Sequence, residues 1–112
     1  MRMFFTVLIS VLASSTATYA ETLSADKIKS DIIGKIMCVD TKSGKACARH
    51  NADGTSQIIS GPPQQKGKWR LENNNHCVTW EKIRNGKELC FEYIKDGNSL
   101  SAPKAGGKIT FQ

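Results

Sequence analysis

The chain predicts a mainly β domain, an antiparallel meander of about seven or eight short strands forming a small barrel or bent sheet, with one N-terminal helix. Three observations predict it. Turn residues punctuate short runs of alternating apolar and polar residues, the spacing of all-β folds. Alternation is best late in the chain, where Val78 and Trp80 fall on one face, as do Leu89, Phe91 and Tyr93. Four cysteines in 112 residues complete the pattern of a small stapled domain.

The first twenty residues stand apart. Arg2 supplies a basic start, 3–13 is apolar apart from Thr6 and Ser10, and Thr18-Tyr19-Ala20 places small residues at the −3 and −1 positions of a signal-peptidase site. Residues 1–20 are therefore expected to be a signal peptide cleaved after Ala20. Residues 21–112 are expected to form one domain in the periplasm or outside the cell. No cysteine lies at the cleavage point to take a lipid, and no second apolar run follows to span a bilayer.

Residues 23–33 predict a short helix. Ser24 is placed to cap it, Asp26 suits its first turn, and Gly34 suits its stop. Ile28 and Ile32 fall on one face and can dock on a sheet. Strands follow at 35–39 and 45–51, at 55–60, and at 68–72, where Trp69 and Leu71 share a face. A late hairpin pairs 76–82 with 88–95, and short strands close the chain at 99–101 and 108–112, with Ile109 and Phe111 inward. Asn51-Ala52-Asp53-Gly54, Asn73-Asn74-Asn75 and Asp96-Gly97-Asn98 supply turns, and Pro62-Pro63 makes 61–65 a loop.

Symmetric pairing about Lys42-Ser43 sets Cys38 opposite Cys47, within reach of a disulfide. Cys77 and Cys90 are harder to join. A two-residue turn at Asn85-Gly86 would leave them four residues out of register, roughly 13 Å of strand. Their pairing demands a turn centred on Ile83-Arg84 or a wide irregular loop. The rival pairing crosses from the early hairpin to the late one. Both stay open on the residues alone, with the local one preferred. The late cysteines fall on the face opposite the aromatics, so a bond there would staple the outer side.

Little in the chain points to catalysis, and no cofactor is expected. His50 and His76 lie in no metal-ligand spacing, and each is expected to be structural or merely exposed. Cysteines committed to disulfides cannot act as nucleophiles or thiolate ligands. Asp53-Gly54-Thr55 lacks the oxygen ligands of a calcium loop. Glu81, Glu88 and Glu92 are expected to pair across strands with Lys82, Arg84, Lys87 or Lys95.

The formal charge of +6, or +5 without Arg2, is dispersed along the chain. It suits a solvated surface, or loose association with anionic envelope lipid or glycan; nucleic acid is not expected as a partner. In Lys66-Gly67-Lys68-Trp69-Arg70 the Trp is expected to point inward and the cations outward.

One succession of motifs carries a resemblance. It runs from the helix Leu23-Ser24-Ala25-Asp26 through Asp53-Gly54-Thr55 and Gly67-Lys68-Trp69-Arg70 to Cys77-x-x-Trp80 and Cys90-Phe91. It resembles a group of small secreted alpha-proteobacterial proteins catalogued as a domain of unknown function, over roughly 23–96. The resemblance implies a β-rich fold, a secreted or periplasmic address and a Cys77–Cys90 staple. It implies no activity.

The functional expectation is thus a non-enzymatic, monomeric binding or envelope-interaction module. Its candidate contact loops carry Pro62 and Pro63, Asn74, and Arg84 and Asn85. The alternatives are an inhibitor of an exogenous protease and a polyanion-binding protein.

Overall fold

A computed structural model describes residues 20–42, 44–60 and 64–112. The expected signal peptide and the Pro62-Pro63 loop lie outside the described residues, apart from Ala20. The fold is mainly β, as the alternation requires. Its strands are β1 (Glu21–Thr22), β2 (Ile36–Thr41), β3 (Gly44–His50), β4 (Thr55–Ser60), β5 (Lys66–Glu72), β6 (Asn75–Trp80), β7 (Leu89–Phe91), β8 (Ile94–Asp96), β9 (Ser99–Ala102) and β10 (Gly107–Phe111). All pairings are antiparallel, in the order β1-β8-β9-β10-β2-β3-β4-β5-β6-β7, and the sheet curls into a half-barrel.

Two differences account for ten strands where about eight were expected. The run 88–95 alternates as one strand but breaks at Glu92-Tyr93. Its halves, β7 and β8, then enter the sheet at widely separated positions. The break passes through Tyr93, whose side chain is fully buried and whose carbonyl accepts from the Leu23 N–H at 2.9 Å. The other addition, β1, pairs Glu21 with Lys95 and is too short for any periodicity to announce.

The helix α1 (Ala25–Asp31) is shorter at both ends than 23–33. Ser24 caps it as expected, its hydroxyl accepting from the Lys27 N–H at 3.3 Å. Gly34 takes φ +88°, the left-handed conformation that ends a helix without a Cβ penalty. Ile28 and Ile32 are both fully buried and join Leu23, Val78, Phe91 and Tyr93 in the core. Each such burial is worth about 2 kcal/mol.

Both local disulfides are present, Cys38–Cys47 and Cys77–Cys90. The register sets Cys77 directly opposite Cys90 and Val78 opposite Leu89. The connection is therefore the wide loop, spanning 81–88, and not a two-residue turn at Asn85-Gly86. A 3-10 turn at Ile83–Gly86 lies within it, with Arg84, Asn85 and Gly86 all at positive φ. The Gln65 side-chain carbonyl accepts from the Lys82 and Ile83 N–H groups at 2.8 and 3.0 Å, tying the loop's start to the strand entering β5.

Phe111 corrects an expectation. Ile109 is buried, but Phe111 is 44 % exposed with the Lys35 ammonium 5.4 Å from its ring centre. β9 pairs with β10 only as far as Ile109, so no strand flanks Phe111 on that side.

Candidate functional site

Alternation along the strands gives the sheet two chemically different faces. On β5, Lys68 and Arg70 point outward while Trp69 and Leu71 point in. Arg70 lies opposite Cys77 on the outer face and forks onto Glu88, Nε to Oε2 at 2.9 Å and Nη2 to Oε1 at 2.7 Å. It also reaches Glu72 at 3.0 Å. This cation holds the Glu88 carboxyl below its ordinary range through its hydrogen bonds. Glu88 thus pairs across two strands with Arg70, and not with the lysines of its own hairpin. Glu72 also approaches Cys77 and Cys90, the one such trio among the described residues, but the two sulfurs are bonded to each other.

On the concave face lies an open cavity of about 330 Å³. Its walls include Val39, Ala48, Ile58, Trp80, Phe91, Ala102 and Ile109, brought in by β2, β3, β4, β6, β7, β9 and β10. Such half-covered apolar walls are what small-molecule pockets are lined with. Among the described residues, charge enters only from two short turns: Arg84 from Ile83–Gly86 and Lys104 from the 3-10 turn Pro103–Ala105.

Beside the cavity is a buried polar cluster. His76 shares the inward face of β6 with Val78 and Trp80, and its ring lies 4.4 Å from that of His50, edge to face. His50 Nδ1 shares a 2.6 Å hydrogen bond with Ser56 Oγ, and His76 Nδ1 shares one of 2.6 Å with the Tyr93 hydroxyl. Trp69, Phe91 and Tyr93 pack around His76. Burial lowers the His50 pKa to about 4; burial, with His50 alongside, lowers that of His76 to about 3. Burial also pushes the Tyr93 hydroxyl well above its ordinary value. At neutral pH the whole cluster is uncharged.

A serine bonded to a histidine is half of a nucleophilic centre. Here Ser56 is 2 % exposed and does not line the cavity that His50 lines, so an acyl group held in the cavity does not meet its oxygen. The imidazole is also a weak base at its lowered pKa. The bond orients His50 and satisfies a buried hydroxyl.

No family model, curated protein or solved structure matches the chain. Its chemistry is therefore read from this geometry.

Of the candidate contact residues, Arg84 reaches the cavity. Asn85 is its left-handed neighbour in the same turn and is not part of the lining. Asn74 does a structural job: its side-chain carbonyl accepts from the Ala25 N–H at 3.1 Å and fixes the start of α1. Asp53 likewise closes its own turn, accepting from the Thr55 N–H and hydroxyl at 3.0 and 2.6 Å. Both histidines are buried, which removes the exposed alternative for each. Sequence reasoning missed their meeting and missed Lys104. The signal for His76 was present, two residues before Val78 on an inward-facing strand.

Proposed function

We propose that the protein is a non-enzymatic binding module of the periplasm or secreted space, whose half-barrel holds a small apolar guest. The observation that carries this reading is the open cavity on the concave face, walled by apolar side chains from seven strands. Leaving such a surface wet is costly unless something covers it. The two disulfides fit an oxidising compartment. The apolar leader read at 1–20 gives a route to it. Among the described residues, no helix is long and apolar enough to cross a membrane.

Trp80 lines the cavity and is the reporter for the test. Addition of the neutral dye Nile red to the oxidised protein is expected to quench Trp80 and brighten the dye. Ala48 faces the same space, so Ala48→Phe, which plugs it, should abolish both signals. Unchanged Trp80 emission, or equal dye binding by the plugged variant, would overturn the reading.

A further inference from the structure

Resting on that reading, we infer that the guest is a single-chain amphiphile with an anionic head, its chain in the half-barrel and its head at Arg84 and Lys104. Four features of the cavity support this. Among the described residues, these two cations are the only formal charges in its wall, and no carboxylate lines it. The volume lies at the lower end of ligand pockets, roughly 300–1,000 Å³, which suits one chain and not a multi-chain lipid. The Tyr93 hydroxyl is spent on His76, so the depth of the site offers a guest little but apolar surface and one neutral imidazole.

The fourth feature is the state of Arg84. Arg70, on the outer face, is held by two carboxylates and is not available to a guest. Among the described residues, neither Arg84 nor Lys104 has a carboxylate within salt-bridge distance. Arg84 is also held at φ +59°, which a side chain other than glycine adopts only at a cost. Gln65 bonds to the two preceding residues and keeps the turn in place. An unpaired guanidinium lining an apolar cavity is a ready partner for a carboxylate or a phosphate monoester, each of which can present two acceptor oxygens to its fork.

Titration calorimetry on the oxidised protein, below the micellar concentration of each probe, tests this with four ligands of one chain length. Dodecanoate and dodecyl phosphate are expected to bind about tenfold more tightly than dodecanol. Dodecyltrimethylammonium should bind more weakly than dodecanol. Whichever anion binds more tightly identifies the head group, carboxylate or phosphate. Arg84→Gly suits the left-handed turn, so the fold is expected to survive it. That variant and Lys104→Gln should each weaken the anions several-fold and leave dodecanol unchanged. If dodecanol or the ammonium binds as tightly as dodecanoate, and Ala48→Phe still abolishes binding, the anionic head is wrong while the cavity reading stands. If no probe binds, the cavity reading itself falls and this inference with it.

Discussion

At the scale of single residues, the buried imidazole pair makes the fold acid-sensitive. Both folded-state pKa values, about 4 and about 3, lie below the free value of 6.5. Above pH 6.5 the preference of the fold for neutral rings is fully present. As pH falls toward 4 and then 3, the unfolded chain takes up protons that the folded one refuses, and stability drops. The loss amounts to several kcal/mol across that window, at about 1.4 kcal/mol per pKa unit. Urea unfolding at a series of pH values should show it, and His50→Gln should reduce the slope; an unchanged slope would remove His50 from the account. Gly67 is a second sensitive position, because a Cβ there would come 2.6 Å from the Thr79 carbonyl oxygen and 2.8 Å from Trp80 Cε3. Gly67→Ala is expected to cost about 2 kcal/mol and to shift Trp80 emission, since the indole must move. Ser24 and Gly34 were legible as helix ends because capping is local chemistry. His76 was legible as an inward-facing position two residues before Val78, but its partner His50 was not, because the two meet only through the folded sheet.

At the scale of elements, the two disulfides do different work. Cys38–Cys47 links β2 to β3, which already share six register pairs and are flanked by β10 and β4. Cys77–Cys90 links β6 to β7, an edge strand of three residues held on one side only. Replacing both members of either pair by Ala should cost about 3 kcal/mol. Amide exchange separates them. Loss of Cys77–Cys90 should expose the amides of Leu89 to Phe91 to local opening, while loss of Cys38–Cys47 should leave β2 and β3 protected. Equal protection of β7 with and without its bond would show that packing of Phe91 holds it alone. Most strands and the Cys38–Cys47 hairpin were legible, since a symmetric turn and period-two alternation act within a few residues. The split of 88–95 was not, because nothing in Leu89-Cys90-Phe91-Glu92-Tyr93-Ile94 interrupts the alternation. The chain bends there because β8 must reach β9 and β1, and that demand comes from the whole sheet.

At the scale of the whole molecule, the cavity was illegible for a related reason: its walls come from β2, β3, β4, β6, β7, β9 and β10, and only curvature brings the ends of that series together. The charge at its mouth was half legible, since Arg84 stood out as a loop tip while Lys104 lay in a stretch with no pattern. Curvature of this kind depends on pairings far apart in the chain. Glu21 meets Lys95 in β1 and β8, and Met37 meets Phe111 in β2 and β10. The ordering of events during synthesis follows from this. The second strand to be made has to wait for the last one, so the central seam of the sheet cannot form until the carboxyl terminus is free. Chains dominated by such distant contacts condense slowly, in milliseconds to seconds. A newly made copy therefore stays an open thread until its last residues appear, and only then can β10 close between β2 and β9.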